Sequence, residues 1–302
     1  MSSLAIVLIV GSAFLHTSWN LILKRNHGDV TSYALMCAGI LCLTLHIQFW
    51  TPVHVFALPS AFWLFLVGSI TSDVMYALFL CSSYGRLNMS IAYPMMRSLP
   101  IVFTLVLTSF LGLGKPVTPM AVAGMAMVFA GCLLMPMPAF SNLKLSDYFN
   151  RGLLFVILTA LGTTGYTIFD SQAISVMRAH SSDIAKPIVS LTYYSCRSFA
   201  LNMALWTLCT LTPKYRREIL PTVKAHGPSL ALGAICAGAT YALVLIAMNY
   251  VTNVSFVQVF RQSALPIALV ASLIFLHEKI TLNKILGTTL ILIGLVLCTL
   301  AP

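Results

Sequence analysis

Long apolar stretches separated by short polar links run along the whole chain. Ten of these stretches hold about 20 mostly apolar residues each, the length that an α-helix needs to cross a bilayer. The links hold nearly all the charged residues, and none is long enough to form a soluble domain. The pattern predicts an all-α membrane protein with ten transmembrane helices, at residues 3–23, 31–50, 61–81, 89–111, 118–136, 152–177, 188–211, 228–249, 254–276 and 283–300.

The second half of the chain repeats the pattern of the first half. Segment 68–80 recurs at 233–245, and the matching pairs include Gly68/Gly233, Tyr76/Tyr241, Asn88/Asn253, Gly124/Gly287 and Gly131/Gly294. Such a duplication in an apolar chain is typical of secondary transporters. Because five is an odd number of spans, we expect two inverted five-helix repeats, at 1–140 and 152–302, joined by a linker at 141–151.

The last helix of each half carries two glycines seven residues apart. These are Gly124 and Gly131 in the first half, and Gly287 and Gly294 in the second half. Seven residues make two helical turns, so each pair lies on one face and allows another helix to approach closely. The spacing therefore predicts helix packing rather than a substrate contact.

Composition narrows the function further. Only 8% of residues are charged, against roughly 25% in ordinary soluble domains. The net charge of +10 comes from basic residues in short links beside apolar spans, so it indicates membrane orientation rather than nucleic-acid binding. We expect an integral, multi-pass protein of the cell (inner) membrane. The eight cysteines form no CxxC pair, and we expect neither a metal site nor a cofactor.

Ionisable residues inside membrane spans are rare and expensive, so they are the first candidates for a functional site. The predicted spans contain Asp73, Arg97, Asp170, Arg197 and Arg261. Arg197 lies near one end of its span, and we expect it to extend toward the membrane interface. For Asp73 and Asp170 three roles stay open: a structural counter-ion, a proton carrier, or a substrate ligand.

Two arginines occupy near-equivalent places in the two halves. Arg97 lies between Pro94 and Pro100, and Arg261 precedes Pro266 by five residues. Proline removes a backbone donor, and such irregular backbone inside a membrane normally lines a cavity or is buried in protein. Two guanidinium groups at such a place suit a carboxylate, phosphonate or phosphate. The alternative is that both arginines are neutralised by the two aspartates in structural ion pairs.

Two further features suggest other residues of a cavity. His16, Asn20 and Lys24 are spaced four residues apart and form one polar stripe along the first helix. Tyr76 and Tyr241 are equivalent in the repeat and are either cavity residues or packing residues.

These features resemble the drug/metabolite transporter superfamily, and within it the EamA-like ten-helix transporters. The resemblance rests on the helix count, the duplication, the segment Tyr93-Pro94-Met95-Met96-Arg97, and the ending FLHEKITLNKILG, and it covers essentially the whole chain. It implies a central substrate cavity, alternating access, and transport of small metabolites such as amino acids, often outward. It also implies substrate-binding roles for Tyr93, Arg97, Arg261 and Gln262, and it matches Glu278 to an acidic residue after the ninth helix.

The sequence thus predicts a secondary transporter that moves a small polar metabolite through the bilayer. A zwitterion such as an amino acid would place its anionic group at Arg97 and Arg261 and its cationic group near Asp73 or Asp170. Either aspartate could also couple transport to protons. The sequence contains no nucleotide-binding motif of the kind that would indicate a primary pump. The alternatives are a non-transporting sensor or scaffold, and an intramembrane enzyme. No GxSxG or HExxH motif supports the enzyme, so we expect no catalytic residues.

Overall fold

The structure is a computed structural model that describes residues 2–25, 29–84, 89–135, 151–275 and 281–300. These residues form α-helices and short 3-10 helices, without a β-strand in the described ranges. The α-helices are α1 (Ser3–Arg25), α2 (Val30–Thr44), α3 (Ile47–Trp50), α4 (Ser60–Tyr84), α5 (Met89–Phe110), α6 (Pro119–Leu134), α7 (Arg151–Ala179), α8 (Lys186–Leu211), α9 (Pro213–Ala247), α10 (Ser255–Phe260), α11 (Ala264–Phe275) and α12 (Leu282–Leu300).

Every predicted span coincides with a helix or with a helix that is locally interrupted. Among the described residues, six segments are both long and apolar enough to cross a membrane: Ser3–Asn20, Val30–Trp50, Ser60–Leu80, Gly152–Ala179, Pro213–Tyr250 and Leu282–Leu300. Three shorter apolar helices are Met95–Phe110, Pro119–Leu134 and Ser255–Val270. The all-helical membrane fold is therefore confirmed, whereas the ten-span inverted repeat stays a prediction. Most of the linker predicted at 141–151 lies outside the described residues.

One boundary differs from the sequence prediction. The basic stretch before residue 228 was expected to be a polar link, but α9 already begins at Pro213 and includes it. Proline is well suited to the first turn of a helix, where its missing N–H is not needed, and lysine, arginine and glutamate are good helix formers. The helix continues through Pro221 and Pro228, and Arg216 and Arg217 are exposed on it.

The glycine prediction is confirmed, because α6 and α12 meet at their glycines. A Cβ atom added to Gly124 would lie 2.7 Å from the carbonyl oxygen of Gly294. One added to Gly131 would lie 2.6 Å from the carbonyl oxygen of Gly287. The low-numbered glycine of one helix faces the high-numbered glycine of the other, so the two helices run antiparallel.

Packing between the other helices joins the two halves of the chain. The helix α4 lies along α7, where Ser72 and Tyr76 approach Gly162 so closely that a Cβ atom there would lie 2.9 Å from the Ser72 carbonyl oxygen. The helix α1 packs along α9, and α2 packs between α8 and α9. Large apolar side chains such as Phe49, Trp50 and Phe110 are exposed, as expected of a surface that faces lipid.

The two arginine-bearing regions differ in their backbone. The helix α5 is continuous from Met89 to Phe110 despite Pro94 and Pro100. In the second half, a 3-10 turn at Arg261–Ser263 separates α10 from α11, just before Pro266. The predicted irregular backbone is therefore present in the second half, whereas the same prediction for Pro94 and Pro100 was wrong.

Candidate functional site

Two adjoining cavities lie among the helices. The larger one, of about 90 Å³, is lined by Trp19 and five tyrosines, and we call it the aromatic cavity. Its tyrosines are Tyr33, Tyr76, Tyr166, Tyr194 and Tyr241. The smaller one, of about 50 Å³, is lined by two arginines, a histidine and neutral polar side chains, and we call it the basic cavity. The residues that border both are His16, Tyr76, Tyr166 and Arg261.

Arg197 on α8 holds an ion network in the wall of the aromatic cavity. Its Nη2 donates a hydrogen bond to Asp73 Oδ2 at 2.6 Å, and its Nε donates to Asp170 Oδ1 at 3.1 Å. The Nε also donates to Ser69 Oγ at 3.1 Å. The Arg197 side chain is only 4% exposed. Two carboxylates therefore share one buried guanidinium, and the network joins α4, α7 and α8.

Tyrosine hydroxyls also donate to both carboxylates. Tyr33 donates from its Oη to Asp73 Oδ1 at 2.9 Å. Tyr193 donates to Asp170 Oδ1, and Tyr241 donates to Asp170 Oδ2. Buried charges are tolerated when they are paired and when their other lone pairs accept hydrogen bonds, and both aspartates meet this condition.

This network corrects two sequence expectations. Arg197 does not extend toward the membrane interface; it is 3% exposed and bound to both aspartates. The alternative in which the two aspartates neutralise Arg97 and Arg261 was wrong, since both aspartates form ion pairs with Arg197. The physical reason is that α8 brings a guanidinium between α4 and α7, which the chain position of Arg197 does not reveal.

His16 borders both cavities and has an excess of hydrogen-bond donors around it. Trp19 Nε1 donates to His16 Nδ1 at 3.2 Å, and Arg97 Nη1 lies 2.7 Å from His16 Nε2. A neutral imidazole has only one nitrogen that accepts, so it cannot accept from both donors at once. An acceptor brought to this place would relieve the conflict.

Arg261 stands at the helix interruption, where its half-buried side chain borders both cavities. Its backbone carbonyl accepts from Arg97 Nη2 at 3.2 Å, so the two predicted arginines are brought together. In the described part of the chain the ion pairs are those of Arg197, and no carboxylate lies within ion-pair distance of Arg261. The described lining of the basic cavity likewise contains no Asp or Glu.

Amide side chains complete the basic cavity. Asn20 donates from Nδ2 to the carbonyl oxygen of His16 at 2.9 Å, one turn earlier on α1. Gln262 donates from Nε2 to the carbonyl oxygen of Arg97 at 3.1 Å, which links α5 to the helix interruption. The Oε1 atom of Gln262 is buried without a hydrogen-bond partner. Gln258 donates to Thr167 Oγ1 at 2.5 Å and lines the same cavity.

A row of three tyrosine rings lies where the two cavities meet. Tyr166 lies between Tyr76 and Tyr241, with ring centroids 5.8 Å and 6.0 Å away. The guanidinium carbon of Arg197 lies 4.7 Å from the centroid of the Tyr241 ring, within the range of a cation–π interaction. The repeat-equivalent Tyr76 and Tyr241 are thus both cavity residues and members of this row.

Several residues of the site were missed by the sequence reasoning. They are Tyr33, Ser69, Tyr166, Tyr193, Tyr194, Ser198, Asn202 and Gln258. Four of them lie on α8, and there the signal was available: many polar residues interrupt the apolar pattern of that helix. Three other expectations concern parts outside the described residues: the side chains of Lys24 and Tyr93, and the whole of Glu278.

The described residues contain no group of three His, Cys, Asp or Glu side chains arranged to hold a metal ion. The polar groups that line the two cavities include arginine, histidine, amide, hydroxyl and tyrosine side chains.

Comparison with known proteins fits a membrane carrier. The model of the EamA-like transporter family matches residues 150–300, half of the chain. The chain belongs to the EamA-like transporter family, within the drug/metabolite transporter superfamily, and it is an integral, multi-pass membrane protein of that transporter type. The family is one of transporters rather than enzymes, and its members bind a small-molecule substrate within the bilayer.

A solved structure gives independent support for the fold. A crystal structure described only as "Crystal structure of protein" aligns with a TM-score of 0.67 over 99% of this chain and 98% of its own. The two sequences are 14% identical, so this similarity concerns the fold alone. No curated protein sequence matches the chain significantly.

Proposed function

We propose that this protein is a secondary transporter that carries a small polar metabolite with an anionic group, and that the anion binds in the basic cavity. The observation that carries this proposal is the excess of donors there. Arg97, Arg261 and His16 line the basic cavity, whose described lining has no carboxylate, and Trp19 at the adjoining aromatic cavity donates to His16. A carboxylate or phosphonate accepts several charge-assisted hydrogen bonds at once, which suits such a set.

Both halves of the chain contribute to this site, as alternating access requires. His16 and Arg97 come from the first half, and Gln258, Arg261 and Gln262 come from the second half. A relative motion of the two halves would therefore open the site to one side of the membrane or to the other.

The helix packing supports two inverted repeats. The contact of α6 with α12 pairs Gly124 with Gly294 and Gly131 with Gly287, although the repeat makes Gly124 equivalent to Gly287. Such exchanged pairing in antiparallel helices is what a two-fold relation between the halves produces. The first and third helices of the two repeats show the same relation. The first helix of one repeat packs on the third helix of the other, as α1 on α9 and as α7 on α4.

The two aspartates have different roles in the proposed transporter. Asp170 is fully enclosed and bound by Arg197 and two tyrosines, and we assign it a structural role as counter-ion. Asp73 lines the aromatic cavity, and we propose it as the group that would carry a proton if transport is proton-coupled. Protonation of Asp73 would weaken its ion pair with Arg197, which bridges the two halves.

Counterflow in proteoliposomes tests the proposed function. Vesicles preloaded with an unlabelled compound are given the same labelled compound outside, for a panel of neutral amino acids, aminophosphonates, dicarboxylates and organic cations. We expect preloading to accelerate the uptake of an anionic or zwitterionic compound, and an imposed pH gradient to change the rate in wild type but not in Asp73→Asn. Uptake of organic cations alone, or uptake that preloading does not accelerate, would contradict the proposal.

A further inference from the structure

A second polar surface faces the aromatic cavity and has no part in the ion network. It consists of Tyr194, Ser198 and Asn202 on α8, and we call it the α8 ladder. The spacing of four residues places the three side chains one above another on a single helix face. All three line the cavity, and they are 3%, 3% and 4% exposed.

Each member of the ladder has a buried oxygen atom without a partner. Among the described residues, Tyr194 Oη, Ser198 Oγ and Asn202 Oδ1 form no hydrogen bond. The Asn202 amide is held in one orientation, because its Nδ2 donates to the carbonyl oxygens of Cys37 and Ser198, both at 2.9 Å. Its Oδ1 is therefore an acceptor, and its partner is missing in this conformation.

Many hydroxyls of the described helices form a bond within their own helix, although some outside the ladder, such as Ser195 Oγ, do not. Thr192 on the same helix donates from its Oγ1 to the carbonyl oxygen four residues earlier, at 2.9 Å, as do Ser72 and Thr159 elsewhere. Ser198 does not use this bond. Buried polar groups without partners are costly, and at a cavity wall they indicate a ligand that supplies the partner.

The chemistry of the ladder favours an N–H donor with a positive charge. Asn202 Oδ1 only accepts, and the two hydroxyls accept as readily as they donate. The neighbouring network places two carboxylates against the one guanidinium of Arg197, so its net charge is negative when both are ionised. The ring of Tyr194, whose centroid lies 5.8 Å from that of Tyr241, can also attract a cation.

We propose that the α8 ladder binds the ammonium group of a zwitterionic substrate whose anionic group is held by Arg261 and its neighbours. This assignment rests on the proposed function, and it specifies the substrate class as amino compounds that also carry a carboxylate or phosphonate. It moves the cation-binding role from the aspartates, whose oxygens are already occupied, to three residues of a helix that borders the same cavity as Arg261.

Matched pairs of compounds test the ladder. Each pair differs only in the amino group: L-alanine and propionate, L-phenylalanine and 3-phenylpropionate, or 2-aminoethylphosphonate and ethylphosphonate. Counterflow is measured for wild type, Tyr194→Phe, Ser198→Ala and Asn202→Leu. The control is Ser195→Ala, since Ser195 Oγ is also buried without a partner on α8 but does not line the cavity.

We expect wild type to prefer the amino member of at least one pair. Each ladder variant should lower this preference by about tenfold, the value of one hydrogen bond to a charged group, while uptake of the des-amino member is kept. Ser195→Ala should retain the wild-type preference. Size-exclusion chromatography shows whether each variant folds. If Asn202→Leu does not fold, the conservative variants Tyr194→Phe and Ser198→Ala still test the ladder.

The failures of the two proposals are distinguishable. Counterflow without a preference for the amino member, or with a preference that the ladder variants leave unchanged, overturns the ladder and keeps the carrier. Absence of counterflow with every pair overturns the proposed function and the ladder together.

Discussion

Arg197 and Arg261 are the same residue type in two neighbouring regions of one site, and they differ in their surroundings. Arg197 is enclosed and meets two carboxylates, at 2.6 Å and 3.1 Å. Arg261 borders both cavities, and no carboxylate lies within ion-pair distance of it in the described ranges. A buried arginine whose counter-ions are present serves structure. One without a carboxylate partner in the described residues is available for an anionic ligand.

The largest effect should follow from removing the guanidinium of the ion network. In Arg197→Ala, two buried carboxylates would lose their counter-ion, and breaking a buried pair in this way costs about 3–5 kcal/mol. We expect loss of monodisperse protein or a large fall in the unfolding temperature in detergent. Adding Asp73→Asn and Asp170→Asn to Arg197→Ala should recover part of the stability. Arg216→Ala, at an exposed arginine on α9, is the matched control and should behave as wild type.

The opposite result is expected for the arginine of the basic cavity. Arg261→Ala should change stability by less than about 1 kcal/mol, because it leaves no buried carboxylate without its counter-ion. It should abolish the rise in unfolding temperature that a transported amino acid or aminophosphonate gives in wild type, since ligand stabilisation depends on affinity. A loss of stability as large as that of Arg197→Ala would show that the two arginines do not differ in role.

A pair of tyrosines offers a smaller and more selective comparison. Tyr241 donates its hydroxyl hydrogen to Asp170, whereas the Tyr194 hydroxyl has no partner. Tyr241→Phe should therefore destabilise the protein by about 1.5–3 kcal/mol, the range for a hydrogen bond to a charged group. Tyr194→Phe should change stability by less than about 0.5 kcal/mol, as it removes no bond within the protein. Differential scanning fluorimetry on both variants measures the contrast, and equal losses would contradict it.

The smallest effect should follow from replacing the Arg261 guanidinium with a cation of another shape. Arg261→Lys keeps the charge but replaces a planar, forked donor with a single ammonium group. We expect the affinity for a carboxylate or phosphonate to fall by about tenfold, while transport stays measurable. Concentration dependence of counterflow gives the affinity. An unchanged affinity would indicate that charge alone, and not the guanidinium geometry, attracts the anion.

The sequence predicted features that depend on local pattern. Apolar length located the helices, and the seven-residue glycine spacing predicted the close contact of α6 with α12. It also singled out His16, Arg97 and Arg261, which the fold brings together. These predictions succeed because helix length, helix face and the cost of burying charge can be read from neighbouring residues.

The features that the sequence did not predict depend on long-range partners. Arg197 was expected at the membrane interface, since nothing near it along the chain shows that Asp73 lies 2.6 Å away in the fold. Tyr33 and Asn202 were missed for the same reason: their importance comes from a carboxylate and a cavity that other helices supply. The early start of α9 was missed because a basic, polar stretch resembles a loop in composition although its residues favour a helix.

Counterflow of a zwitterion by wild type, Arg261→Ala and Arg216→Ala in parallel tests the central claim most directly. Each protein is reconstituted at equal density, and uptake of labelled L-alanine and 2-aminoethylphosphonate is followed into preloaded vesicles. We predict accelerated uptake of at least one compound by wild type and by Arg216→Ala, and none by Arg261→Ala of normal stability. Equal uptake by Arg261→Ala and wild type would contradict the account, because the anion would then bind elsewhere.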